Sequence, residues 1–419
     1  MRHLILCFVL LPAPFVCAAD SPRQEVSLNG AWEYQLVEDL TKPPSGGPWK
    51  PCRVPGYLSG TNYQRAWLRR SFAVPPAMRG QRIKLCFGGV KYNSRVVVNG
   101  REVGGCFGGY EPFELDVTGA VRFDGANELL VGCHDWTGVF TPGKVEFPAD
   151  ANWDVERGAP RDKILSPIGG LYSLYGIWDD VTLRAHPAVY VQDVFIQPSV
   201  RRKELVVQYT LANESPDEIE VELTAAVEDA GRDALQLPAT KLKLPPLLPG
   251  HRSSATGHRP PATDHRPPIT DYRPPITDYR PPPPTIILRR PWPDPPLWSH
   301  VDPQLLCLRT ALSSGDQVRT RFGFREFWVE GHKFFLNGSR INLLATSWWP
   351  PHGLMTRDEI RQRWEAVKRM GCVAFRTHTQ PWPRLHYELA DEVGLLMIVE
   401  GAVWNDDDTY RIHDPVFWD

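Results

Sequence analysis

With 419 residues, the chain is long enough for two or three domains, each able to bury its own core. Hydrophobic residues at 42% and charged residues at 23% are ordinary for globular protein. The balance of 47 Lys+Arg against 49 Asp+Glu gives a net charge of −2, which excludes the broad positive field that nucleic acid or an anionic membrane would require and favours small neutral ligands. Two counts stand out: the 42 prolines concentrate in one tract, whereas the 15 tryptophans are spread along the chain, where they suit both core packing and sugar stacking. The first segment, Met1 to Asp20, has a basic start (Arg2, His3), an apolar run from Leu4 to Val16 and a small-residue end at Ala18-Ala19. This pattern predicts a secretion signal over residues 1–19, and a mature chain that is exported, to a periplasm or the extracellular space, and not held in a membrane. A short uncleaved anchor is the alternative. Cys52, Cys86, Cys106, Cys133, Cys307 and Cys372 remain after the signal and show no CxxC spacing, so buried free thiols are expected, with export leaving one or two disulfides open.

From Glu25 to about Pro187 the chain reads as strand after strand: Trp32 to Leu36, Trp67 to Val74, Arg82 to Phe87, Arg95 to Val98, Leu129 to Cys133 and Val181 to Ala185. Asn99-Gly100 lies between two apolar runs, and Asn-Gly supplies the positive φ angles of a two-residue hairpin turn. Without helical periodicity, residues 20–187 predict an antiparallel sandwich of jelly-roll type.

Several motifs of this segment are similar to those of the sugar-binding domain of glycoside hydrolase family 2, which includes β-galactosidases, β-glucuronidases and β-mannosidases. They run in order: Ala66-Trp67-Leu68-Arg69-Arg70-Ser71-Phe72; Val96 to Gly104; Gly109-Tyr110-Glu111-Pro112-Phe113 with Asp116-Val117-Thr118; Asn127-Glu128-Leu129; and Gly176-Ile177-Trp178 with Val181. Trp67, Phe113 and Trp178 are expected in the core, as most sandwich aromatics are. The resemblance implies that the domain supports a catalytic barrel and lends a loop to its pocket; Ala149 to Ile168, containing Asn152-Trp153-Asp154, is the candidate, with a solvated connection as the alternative.

Val189 to Ile196, Glu204 to Leu211 and Glu218 to Val227 alternate apolar with polar residues, so residues 188–318 fit a second, immunoglobulin-like sandwich, which the resemblance also implies. It is interrupted at 256–284 by a heptapeptide repeat, TGHRPPA, TDHRPPI, TDYRPPI, TDYRPPP. Paired prolines remove amide donors and hold φ near the polyproline value, so the tract predicts an extended surface insertion, with a spacer or Pro-rich ligand as the alternative. The sandwich resumes at Ile286-Ile287-Leu288, and Pro296-Leu297-Trp298-Ser299 resembles the family's closing strand motif. Asn213-Glu214-Ser215 and Asn337-Gly338-Ser339 match the N-glycosylation pattern, the second being better explained as a hairpin.

Residues 319–419 change rhythm to short apolar runs that each lead into an amphipathic helix, the pattern of a parallel α/β barrel. Gly323-Phe324-Arg325-Glu326 and Phe335 to Leu343 resemble the start of the family's (β/α)8 catalytic domain. A first strand is predicted over Ile341 to Ala345. Thr356 and Glu359 form a capping box, Ile360, Trp364, Val367 and Met370 keep helical spacing, and Gly371 ends the helix. Strand two is predicted at Val373 to Thr377, a second helix carries Leu385, Leu389 and Val393 up to Gly394, and strand three is Leu395 to Glu400. The expected fold class is therefore multidomain and mainly β: jelly-roll sandwich, immunoglobulin-like sandwich, then the first part of a (β/α)8 barrel.

Side chains just beyond the strand ends line the site of a barrel enzyme. Here they are Trp348 and Trp349, then Arg376, His378 and Trp382, then Glu400, Trp404 and Asp406 to Asp408. Indole faces can cover the apolar face of a pyranose, while Arg, His and carboxylates bond its hydroxyls, so Arg376, His378, Glu400, Trp348, Trp349 and Trp404 are the candidate substrate-binding residues. Packing is the alternative for each tryptophan, and a strand-to-helix ion pair is the alternative for Arg376. By resemblance, Arg376 matches an arginine that organises the catalytic carboxylates, and Glu400 an acidic residue of strand three. The Asp406 to Asp408 run lacks the glycine and terminal Glu of a calcium loop and reads as a turn. The chain departs from many family members at Leu344 to Trp349 and at Val399-Glu400, which argues for a divergent subgroup.

A retaining glycosidase needs two carboxyl groups ~5 Å apart. The resemblance implies two glutamates, an acid/base in an Asn-Glu pair after strand four and a nucleophile after strand seven. About 100 residues follow Thr320, against roughly 250 in a complete barrel, and no Asn-Glu pair occurs among them, so no catalytic residue is assigned within this sequence. The expected function is retaining hydrolysis of β-glycosidic bonds in oligo- or polysaccharides, with a carbohydrate partner and no metal or cofactor. A non-catalytic carbohydrate-binding or adhesive protein is the alternative.

Overall fold

A computed structural model describes residues 23–402, except 60–63, 107, 135–138, 142–143, 147–163, 166–173, 247–283, 352 and 354. The secretion signal, most of the Ala149–Ile168 segment, the repeat at 256–284 apart from Pro284, Trp404 and Asp406 to Asp408 lie outside the described residues. The protein is mainly β, and the α-helices among the described residues, Arg357–Arg369 (α1) and Arg384–Val393 (α2), both lie near the C-terminal end.

The first unit packs two antiparallel sheets face to face. One orders its strands Gln24–Ser27, Val181–His186, Arg82–Phe87 and Phe113–Asp116; the other runs Lys50–Val54, Gly30–Val37, Arg65–Phe72, Asn127–His134, Arg95–Val98 and Arg101–Gly104. The two-residue period of a strand explains the core: Ile83, Leu85 and Phe87 from one sheet meet Ala66, Leu68, Val96, Val98, Leu129 and Val131 from the other. Trp67 points the other way and is sealed under Leu40, Val97 and Leu130 on the outer face of the larger sheet. Phe113 and Trp178 are buried as well. Asn99 and Gly100 take φ of 51° and 80°, the turn that the sequence predicts.

The second unit stacks the sheet Val189–Ser199, Glu204–Asn213 and Thr285–Pro291 on one formed by Arg232–Gln236, Ile219–Asp229, Leu306–Leu312 and Gln317–Phe322, with Thr240–Leu244 also paired to Ile219–Asp229. Leu205, Val207, Tyr209 and Leu211 oppose Val221, Leu223, Leu306 and Leu308 in its core. Asn213 is buried, with its amide donating to the Asp217 and Leu244 carbonyls at 2.8 and 2.9 Å, so its side chain is committed inside the fold. Asn337 turns a hairpin at φ 52° and donates to the Trp298 carbonyl at 2.8 Å. The six described cysteines are free thiols, three of them buried.

The C-terminal unit opens with the antiparallel strands Phe327–Glu330, Lys333–Leu336 and Ser339–Ile341. A parallel sheet follows, Ala345–Trp348, Ala374–Thr377 and Leu396–Val399, connected through α1 and α2. The expected first strand at Ile341 to Ala345 is corrected here: Ile341 still pairs back with Phe334, and the chain turns at Asn342–Leu344 before the parallel strand begins at Ala345. The tight Asn337-Gly338 turn commits the next three residues to the hairpin, which the apolar pattern alone cannot show. The Thr356–Glu359 capping box starts α1, and Gly371 and Gly394 follow the helices at φ 85° and 81°. Ile360, Trp364 and Val367 of α1 pack with Phe375, Trp382, Leu389 and Leu395. Met370 keeps the helical spacing but caps the helix and is exposed.

Candidate functional site

Strand alternation puts Phe375 against the helices and turns Arg376 to the opposite face, level with Ser347 and Ile398 on the neighbouring strands. One residue beyond the last parallel pair, Glu400 reaches back across the strand ends. Its Oε1 accepts from the Arg376 guanidinium and its Oε2 from the Thr379 amide. His378 Nδ1 lies 3.4 Å from the same Oε2, within ion-pair range but too oblique to donate. Burial raises the Glu400 pKa, but the Thr379 amide, then the Arg376 hydrogen bond and charge, outweigh it and leave the carboxyl below its ordinary value. Thr379 adopts φ 65°, an uncommon backbone for a β-branched residue, and that turn is what aims its amide at Glu400.

The Trp349 ring meets His378 edge-on with centroids 4.4 Å apart, and the Trp348 carbonyl accepts from the His378 amide. Trp348 itself is 67% exposed. The structure therefore brings Arg376, His378, Glu400 and Trp349 into one cluster with Trp348 at its edge. Trp382, which the sequence also places at a strand end, is buried among Trp364, Phe375 and His386 and belongs to helix packing.

The cluster joins a fixed cation, a fixed anion, an imidazole and exposed indole at the C-terminal ends of parallel strands. That inventory can bond sugar hydroxyls and cover an apolar sugar face. Among the described residues no group of three His, Cys, Asp or Glu side chains could hold a metal ion. No described helix is long and apolar enough to cross a membrane. An open groove of about 450 Å³ elsewhere, lined by Arg82, Arg101, Glu102, Glu114 and Asp116, has no aromatic ring and shares no residue with the cluster. The chemistry favours the strand ends.

Sequence reasoning missed what stands behind the cluster. Lys91, with no exposed surface, extends its Nζ to 3.3 Å from Gln380 Oε1, and Tyr110 Oη donates to the same oxygen at 3.3 Å. Burial pulls the Lys91 pKa down to about 7. Asp179 accepts from the Arg384 amide at 3.0 Å, and its pKa is pushed up to about 6 by burial, only partly opposed by that bond and the Asp180 amide. The Gly88-Gly89 and Gly108-Gly109 pairs were the available signal, because glycine is needed where rings and backbone pack this closely.

Residues 26–187 match the family model described as glycosyl hydrolases family 2, sugar binding domain. The first unit is thus similar to the family 2 sugar-binding domain. Similarity to curated relatives and solved structures extends over most of the chain. A β-glucuronidase of Paenibacillus borealis is 22% identical over 388 residues, covering 88% of this chain and 55% of that protein. A β-galactosidase of Bacteroides ovatus is 24% identical over 412 residues, covering 91% of this chain and 41% of that protein. The fold is shared with the crystal structure of Bacteroides uniformis β-glucuronidase, at TM-score 0.64 and 20% identity, covering 92% of this chain and 44% of that one. It is also shared with a Ruminococcus gnavus β-glucuronidase in complex with a C6-substituted uronic isofagomine, at TM-score 0.66 and 18% identity, covering 92% and 60%. The chain thus spans 55% or less of the length of these two curated relatives.

Proposed function

We propose that the chain is the amino-terminal part of an exported, retaining glycoside hydrolase of family 2 type that acts on β-glycosidic bonds in oligo- or polysaccharides. In this reading residues 1–19 are the secretion signal, 20–187 a jelly-roll domain, 188–318 an immunoglobulin-like sandwich with its insertion at 256–284, and 319–419 the first strands of a (β/α)8 barrel. The supporting observation is the Arg376–Glu400 pair, flanked by His378 and Trp349, at the C-terminal ends of three parallel strands, where barrel enzymes build their sites. Arg376 and Glu400 supply a preset field and hydrogen bonds for sugar hydroxyls. Trp348 and Trp349 are the subsite walls, and Trp404, outside the described residues, is a further candidate for sugar binding. The two carboxyl groups that retaining hydrolysis requires come from strand ends C-terminal to Glu400. The relatives' names point to a β-glucuronide or β-galactoside as the sugar cleaved.

Residues 20–419, and the same protein extended through the downstream coding sequence, are to be assayed on aryl β-glucuronides and β-galactosides. Turnover by the extended protein alone is the expected outcome. Robust turnover by residues 20–419 overturns the placement of the carboxyl pair, and inactivity of both proteins overturns the hydrolase reading.

A further inference from the structure

The loop between the second parallel strand and α2 carries His378 and Thr379. Within its own unit it is pinned at Trp382, which is buried among Trp364, Phe375 and His386 with its amide donating to Tyr387 Oη at 2.8 Å. Gln380 and the start of α2 are held from another unit. The N-cap of α2 is Pro383, which makes no side-chain cap. The carboxylate at that helix start comes from another unit: Asp179 Oδ2 accepts the amide of Arg384, the first helical residue, 205 positions away in sequence. An anion at a helix N-terminus meets unsatisfied amides and the positive end of the helix dipole. Four residues before Arg384, Gln380 is 1% exposed, and its Oε1 accepts from Lys91 Nζ and Tyr110 Oη, both also from the first sandwich. Lys91 Nζ sits 5.4 and 4.8 Å from the ring centroids of Tyr57 and Tyr110, so its cation is held in an aromatic cage as well.

The cage is built to close tolerance. A Cβ on Gly109 would fall 2.5 Å from the Tyr92 ring, and one on Gly89 would fall 2.4 Å from Trp178. The sandwich thus grips both ends of the segment from Gln380 to Arg384. Directly upstream, Thr379 donates its amide to Glu400, and His378 lies against Trp349.

We propose that Lys91, Tyr110 and Asp179 of the first sandwich are positioning residues for the candidate site, holding the loop through Gln380 and Arg384 so that Thr379 and His378 stay registered on Glu400. The functional meaning of that registration rests on the sugar-site reading above; the mechanical claim does not. The sugar-binding-like domain then acts as a clamp on the strand-end cluster and not only as a support for it.

Peptide-resolved hydrogen exchange of the full chain, with no sugar present, tests this. Lys91→Met and Gln380→Leu are each expected to speed exchange across residues 377–384 about tenfold and to leave strand Asn127–His134 unchanged. The double variant is expected to match the faster single one, because Lys91 acts through Gln380, and Gln380→Glu, which keeps an acceptor, is expected to stay within about twofold of the parent. Tyr110→Phe removes one hydroxyl from the same oxygen and provides a milder variant, expected to speed the same segment about threefold. Unchanged exchange at 377–384 in Tyr110→Phe and Lys91→Met overturns the proposal, as does a rise shared equally by the sandwich strands. Because the readout needs no ligand, failure of the glycosidase reading leaves these outcomes distinct.

Discussion

His386 shows how one side chain couples this fold to pH. It stands between the Trp364 and Trp382 rings, its Nδ1 3.3 Å from the Pro383 carbonyl and its Nε2 buried without a partner. Burial, aided by the Arg363 charge and partly opposed by the Pro383 carbonyl, drives its pKa down to about 4. The folded protein therefore keeps the ring neutral, whereas the unfolded chain takes up a proton below about 6.5. Its contribution is fully present above that value and is lost as pH falls from about 6.5 to about 4, amounting to roughly 3 kcal/mol. His386→Phe, which fills the same slot without a titrating nitrogen, is expected to lose less stability than the parent between pH 7 and 5, by about 2 kcal/mol in urea unfolding. Equal pH slopes for the two proteins would contradict the assignment. Glu400 acts in the same direction: its depressed pKa stabilises the cluster above the ordinary carboxylate range, and that stabilisation is lost as pH drops through the folded value.

At the scale of elements, the two helices are punctuated alike but embedded differently. Both are followed by a glycine in the left-handed region, Gly371 at φ 85° and Gly394 at φ 81°. A Cβ on Gly371 meets only Leu344, at 3.9 Å, while one on Gly394 would fall 2.8 Å from the His300 carbonyl oxygen, which also accepts from Lys368 at 2.7 Å. Gly371→Ala is therefore expected to cost about 1 kcal/mol, the backbone strain alone. Gly394→Ala is expected to cost at least about 2 kcal/mol, because it adds a clash with a carbonyl already fixed by Lys368. Urea midpoints of the two variants decide it; equal losses would mean that the His300 segment yields freely.

Across the whole molecule, ion pairs between units recur where the apolar cores end. Arg23, just before the first strand, holds Asp316 of the second sandwich through both carboxylate oxygens, at 2.8 and 2.7 Å. Asp316 has no exposed surface and also accepts from the Val191 amide at 2.7 Å. Lys84 reaches Glu214 at 2.6 Å, and Glu326 binds Arg201 at 2.7 Å. Removing one member of a buried pair strands the other charge, so Arg23→Met is expected to cost about 3 kcal/mol. Adding Asp316→Asn to that variant is expected to restore part of the loss, a coupling that a double-mutant cycle in urea would read. Additive losses would show that the pair does not join the two units.

The sequence by itself determined what depends on near neighbours. Alternation marked the strands of both sandwiches, Asn-Gly marked the turns at 99–100 and 337–338, and the Thr356–Glu359 spacing with Gly371 and Gly394 bounded α1 and α2. Because those strand and helix limits were legible, Arg376, His378 and Glu400 could be placed at strand ends before any coordinate was known. The tertiary structure decided what depends on docking. It moved the first parallel strand from Ile341 to Ala345, because the hairpin claims Ile341 first. It sent Trp382 into the helix core, and it paired Arg376 with Glu400 and Trp349 with His378. It also joined Lys91 to Gln380, 289 residues apart. Periodicity fixes which face a side chain takes within its own element, through backbone geometry a few residues long. Which surface it then meets is set by how separately folded units pack, and no local spacing encodes that contact.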